Sequence, residues 1–116
     1  MRHRFTAALA AMLGAASFGA LAQAPSGDAA RGKNVFVNQG CFTCHGTVGH
    51  GGPYGPRLAP HPMPWEAFAN QVHHPRASMP RYAPQFLGDR DLADMYAYLA
   101  SIRPGPKASD IALLRD

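Results

Sequence analysis

The amino-acid sequence predicts a small all-α domain, three main helices joined by long loops wrapped around a bound group. Three observations carry this expectation. Apolar residues recur at helical spacing in three segments, most clearly at Leu92, Met95, Tyr96, Leu99 and Ile102. Twelve glycines and eleven prolines punctuate 116 residues, so something other than regular structure fills the centre. Between the first two helical segments stands Cys41-Phe42-Thr43-Cys44-His45, a motif that identifies that centre.

Cys-x-x-Cys followed directly by His is the attachment signature of a c-type haem. The spacing has a mechanical reason. Residues i and i+3 of a helical turn share a face, so Cys41 and Cys44 can form thioethers with two vinyl groups of one porphyrin. His45 then offers a ring nitrogen to the iron. A zinc site would need two further ligands at matching spacing, and the chain has no third cysteine. A thioredoxin-like redox site would need a βαβ context, which is missing. A covalently held haem also supplies the staple that a domain of this size otherwise lacks.

The chain opens with a basic Met1-Arg2-His3-Arg4 and an uncharged, alanine-rich run from Phe5 to Ala22. This reads as an export signal at 1–22, cleaved between Ala22 and Gln23. Cleavage one small-x-small step later would leave Pro25 at the new terminus, which signal peptidases tolerate poorly. The expectation is an exported, periplasmic protein with no stable membrane insertion after cleavage. A flexible lead occupies 23–26, the domain 27–103 and a tail 104–116. Without Arg2 and Arg4 the chain carries nine Lys and Arg against seven Asp and Glu. The basic balance is therefore no argument for nucleic acid.

Asp28 to Gln39 reads as a short amphipathic helix, with Asp28 able to cap it and Gly32 and Phe36 on one face. A glycine inside a helix costs roughly 1 kcal/mol, and close crossing by another helix would account for it. Gly46 to Pro62 holds five glycines and four prolines and reads as a long functional loop. Pro56 has a carbonyl but no N–H. That carbonyl can accept from the second ring nitrogen of His45 and so fix the imidazole. Pro64 to His74 is the second helix, with Pro64 at its first position and Trp65, Phe68, Ala69 and Val72 on its apolar face. Pro75 stops it.

Arg76 to Pro84 is a proline-held loop that places Met79 where no helix can bury it. A thioether is a soft neutral ligand suited to haem iron as the second axial partner. Met63 is a rival for that role, and His73 and His74 are others. Asp89 to Ile102 is the third helix, with Asp89 as cap, Met95 in its core stripe and Pro104-Gly105-Pro106 at its end. Ile111 to Leu114 in the tail is too short to be a helix alone. It lies back on the body or against a partner.

These features together resemble the class I c-type cytochromes over about Gly27 to Arg103. The resemblance rests on the Gly32/Phe36 helix, Cys41-Phe42-Thr43-Cys44-His45-Gly46, Gly55-Pro56-Arg57-Leu58, Met79-Pro80-Arg81-Tyr82 and Asp94-Met95-Tyr96-Ala97-Tyr98-Leu99. It implies a small cytochrome c fold around one covalent haem c. Its first and last helices cross, with Gly32 and Phe36 against Met95 and Tyr98. It implies Cys41, Cys44, His45, Pro56 and Met79 at the haem, with His45 and Met79 on the iron. The implied function is one-electron transfer, without catalysis by the chain itself. Partners would be a dehydrogenase donor, with a terminal oxidase or another cytochrome as acceptor. The extra tail and the absence of a lysine ring set this chain apart; the nearby cations are Arg57, Arg76 and Arg81. Two alternatives remain open to the sequence. One is a haem enzyme or gas sensor with an open sixth site; the other is a haem-free, disulfide-bonded binding module.

Overall fold

A computed structural model describes residues 23–114. The export segment expected at 1–22 lies outside the described residues. Four α-helices and no strands make up the described chain, followed by two short 3₁₀ turns. The helices are α1 (Ala29–Asn38), α2 (Phe42–His45), α3 (Trp65–His73) and α4 (Asp89–Ser101). Three are the expected main helices, and α2 is a single turn carrying the Cys-His motif.

Asp28 caps α1, its carboxylate accepting from the N–H groups of Ala30 and Arg31. Gly32 and Phe36 form its buried stripe. A Cβ on Gly32 would strike the carbonyl of Asp94 in α4, and its neighbour Met95 N would lie at 2.8 Å. The glycine thus lets two helix backbones touch. One turn further on, the Phe36 and Tyr98 rings meet at 5.7 Å between centroids. The crossing is clamped at its end by Asp94, which accepts from Asp28 N at 2.6 Å, Arg31 Nε at 2.8 Å and Arg31 Nη2 at 3.1 Å. Those bonds hold the Asp94 carboxyl below the ordinary aspartate range, Arg31 being the larger cause.

The α3 helix begins after Pro64, which stands at the cap position and not inside the first turn. Its extended backbone, φ −50° and ψ 144°, is what a proline readily adopts just before a helix. Trp65, Phe68 and Val72 are buried. Trp65 and Phe68 both set their rings edge-on to Tyr96 of α4, at 5.7 and 5.3 Å. The α4 stripe of Leu92, Met95, Tyr98 and Leu99 is buried, which keeps Met95 in the core. Gly88, not Asp89, is the cap of α4, and Ile102 is its C-cap. Asp89 and Asp91 instead occupy the first turn, where their charge favours the positive end of the helix.

The tail divides. Pro104, Gly105 and Pro106 line a concavity of about 510 Å³ together with His50, Arg57, Pro60 and His61. Ala108–Asp110 and Ala112–Leu114 form 3₁₀ turns, and Leu113 and Leu114 are exposed. These two leucines do not lie back on the body. No helix among the described residues is long and apolar enough to cross a membrane.

Candidate haem site

The motif is delivered by the way α1 ends. Gly40 takes a left-handed φ of +72°. Its N–H bonds to Val37 O at 3.0 Å, and Cys41 N reaches Phe36 O at 3.1 Å. This pair is a Schellman cap, which a glycine at its turning point makes cheaply. The chain thereby turns straight from α1 into α2. Cys41 precedes α2 in helical backbone and Cys44 follows within it, so the two sulfurs share one turn.

Both cysteines are free and half-buried. Burial pushes the Cys41 thiol above its ordinary range, and the neighbouring Cys44 adds to this. A nucleophilic or redox-active cysteine needs the opposite, a favoured thiolate. Among the described residues no group of three or more His, Cys, Asp or Glu side chains is placed to hold a metal ion. A protein-only zinc cage therefore lacks its ligands there.

His45 is buried, and its Nδ1 lies 2.8 Å from the carbonyl oxygen of Pro56. A carbonyl only accepts, so Nδ1 carries a proton, and in the neutral tautomer this selects Nε2 is the nitrogen with the lone pair. The loop from Gly46 is folded to bring Pro56 there. Gly51 N bonds to His45 O, Gly52 N to Gly55 O, and the N–H groups of Leu58 and Ala59 both to Gly49 O. Gly55 packs closely against the imidazole. A Cβ at that position would stand 2.8 Å from Nδ1 and 2.9 Å from Cε1.

Met79 is half-buried at the edge of the core, as are Cys41, Leu58 and Tyr82. Its sulfur accepts from Gln71 Nε2 at 3.7 Å. The loop that carries it is tied to the C-terminus of α3, where carbonyls lack helical partners. Arg81 Nε donates to His73 O at 3.0 Å, and Tyr82 N bonds to Val72 O at 3.2 Å. The Tyr82 hydroxyl crosses to Gln39 O at 2.9 Å, two residues before Cys41. Burial, and then the nearby Cys41 and Cys44 sulfurs, push that hydroxyl above the ordinary tyrosine range and keep it a donor. The methionine loop and the cysteine turn are thus brought together through Tyr82.

The rival ligands are placed differently. Met63 is exposed ahead of α3, its carbonyl accepting from the Tyr96 hydroxyl at 3.0 Å. His73 is buried and donates from Nε2 to Leu87 O at 2.9 Å, while His74 is exposed. Trp65 is packed among aromatic rings, as a core residue would be.

The residues fit a haem. Two cysteines share one turn, an imidazole presents a fixed free nitrogen, and a glycine leaves the ring its space. A family model described as cytochrome C oxidase, cbb3-type, subunit III matches residues 27–99, from just before α1 to the end of the α4 core stripe. The chain belongs to this family. No curated protein matches the chain in sequence. As a member of this family it is a c-type cytochrome domain of the class I kind, with haem c as its cofactor and electron transfer as its function. The sequence alone misses Gln71 as part of this site, and it places Arg81 and Tyr82 beside Met79 without their contacts. Gln71 has no sequence marker, and the bonds of Arg81 and of the Tyr82 hydroxyl exist only in the folded loop.

Proposed function

We propose that this protein is an exported, periplasmic one-electron carrier. One haem c would be held by thioethers to Cys41 and Cys44 and ligated by His45 and Met79. The observation that carries the reading is the hydrogen bond from His45 Nδ1 to the Pro56 carbonyl. It sets the tautomer in which Nε2 is left to bind a metal, and it restrains the imidazole's orientation.

Bound haem supplies a ferrous–ferric couple, which His/Met ligation moves towards higher potential. The protein's own work is to keep geometry fixed. Pro56 and Gly55 hold His45. Arg81 and Tyr82 hold the Met79 loop to α3 and to the end of α1. The aromatic contacts of Trp65 and Phe68 with Tyr96 keep α3 on α4. Little then needs to rearrange when the charge changes.

The partner is another redox protein, met in a small and transient contact. The family description supports an oxidase complex, and the sequence resemblance supports a dehydrogenase donor. Phe42, between the two cysteines, is 42% exposed and offers an apolar contact beside the thioether positions. The near balance of charge in 23–116 favours neither a strongly acidic nor a strongly basic partner.

The visible spectrum of the purified protein tests the reading. Sharp low-spin bands on reduction are expected, with a weak long-wavelength sulfur-to-iron band when oxidised. Met79→Ala is expected to abolish that band and open the iron to carbon monoxide and cyanide; Met63→Ala is expected to leave it. A high-spin wild type would replace the carrier with an enzyme or sensor having an open sixth site. A colourless protein made with intact haem-attachment machinery would end the haem reading.

A further inference from the structure

Gln71, half-buried on α3, commits both ends of its carboxamide to the Met79 loop. Its Nε2 is 3.7 Å from Met79 Sδ, and its Oε1 is 3.4 Å from Arg76 Nε. The two contacts fix each other's sense. Arginine only donates, so it must face the carbonyl end of the amide. The amino end is then left for the thioether sulfur, which only accepts. A thioether sulfur has two lone pairs. Gln71 engages one, and the other remains for iron.

The backbone around Met79 needs such help. Arg81 and Tyr82 tie the loop down after Met79. Before it, Ala77 sits at φ +60°, a left-handed conformation that costs a non-glycine residue energy. Relaxation of that strain would carry Met79 with it. Gln71 and Arg76 act on this side of the loop, and Gln71 acts on the sulfur itself.

We propose that Gln71 is a positioning residue for the axial methionine. Its amide, aimed by Arg76, donates to Met79 Sδ and holds the sulfur against displacement by outside ligands. This rests on the reading of Met79 as an iron ligand. Outer partners of metal-binding groups commonly set ligand orientation and exchange.

The test uses the full-length haem-loaded protein in its oxidised state. Imidazole is titrated in, and loss of the sulfur-to-iron band reports displacement of Met79. Gln71→Glu is the informative variant. Its carboxylate keeps the shape and still accepts from Arg76, but it has no N–H for the sulfur. Gln71→Leu removes both contacts, and Arg76→Ala removes only the aim. Gln71→Glu and Gln71→Leu are expected to bind imidazole roughly three- to tenfold more tightly, the worth of one hydrogen bond. Arg76→Ala should show a smaller rise. Wild-type affinity in Gln71→Glu would overturn the proposal, because a purely structural role survives in that variant. Should Gln71→Leu fail to fold, Gln71→Glu against wild type decides alone. A wild type that lacks the sulfur-to-iron band removes Met79 as ligand and this inference with it. A wild type that has the band, with an unchanged Gln71→Glu, removes only the inference.

Discussion

Gly32 of α1 sits against the backbone carbonyl of Asp94 in α4 at a separation that admits no side chain. Two opposing effects follow from replacing it with alanine. Helix propensity improves by up to about 1 kcal/mol. Against this, the new methyl group meets peptide atoms that cannot rotate aside, so the helices must separate. Overpacking of this kind costs about 1–3 kcal/mol, and backbone against backbone belongs at the upper end. Gly32→Ala is therefore expected to lose about 2 kcal/mol net. Denaturant unfolding of the haem-loaded protein measures it, and a gain in stability would show that the crossing tolerates a wider spacing.

Gly55→Ala is expected to act on His45, the proposed iron ligand, and not on backbone conformation. Gly55 does not adopt a positive φ, so alanine is not excluded by its dihedral angles. The methyl would instead press on His45 Nδ1 and Cε1 at 2.8 and 2.9 Å and on Cys44 O at 3.0 Å. The imidazole must tilt and lose its aligned bond to Pro56. Lower yield of haem-loaded protein and a fraction of high-spin iron should appear in the visible spectrum. An unchanged spectrum would mean that the 52–56 turn moves as a unit and takes Pro56 with it.

Much of this site is legible in the sequence because its parts carry local chemical markers. The Cys-x-x-Cys-His spacing needs only one helical turn, and Pro56 is marked by a carbonyl without an N–H. Gly32 and Phe36 are marked by their four-residue spacing, and Leu92, Met95 and Leu99 by theirs. Other features depend on where the chain turns or on residues far apart. Gly88 is the last extended residue before α4 and takes the cap without a side-chain bond, so Asp89 already lies inside the first turn. Arg31 finds Asp94 across 63 residues, and nothing near either one announces the pair. Gln71 is one polar residue among several on α3, distinguished only when the loop brings a sulfur to it.

The Tyr82 hydroxyl joins the Met79 loop to the last turn of α1 at Gln39 O. Tyr82→Phe removes that bond and leaves the ring in place. The loss of stability is expected to be about 1 kcal/mol, the net value of an ordinary hydrogen bond. The carbonyl of Gln39 would be left facing the ring, which places the loss at the higher end if water cannot reach it. With Met79 as the proposed axial ligand, its displacement should also become easier, seen as faster binding of cyanide to the oxidised protein. Equal cyanide rates in wild type and Tyr82→Phe would show that Arg81 and the backbone bond to Val72 suffice to hold the loop.

Asp94 gives the fold a defined response to acid. Its carboxyl, buried at the helix crossing, is held below the ordinary aspartate range by Arg31 and by the N–H of Asp28. The unfolded chain therefore takes up a proton at this position at a higher pH than the folded one. Stability from the clamp is fully present above the ordinary carboxylate value of about 3.9 and drains away as pH falls below it towards the lower folded value. Asp94→Asn keeps the shape but cannot ionise. Its unfolding midpoint in urea should lie below that of the wild type at pH 7, and the two should converge below about pH 4. Urea serves here because guanidinium salt would screen the Arg31 pair. Parallel curves down to pH 2.5 would mean that other carboxylates govern acid unfolding and that the clamp acts through its hydrogen bonds alone.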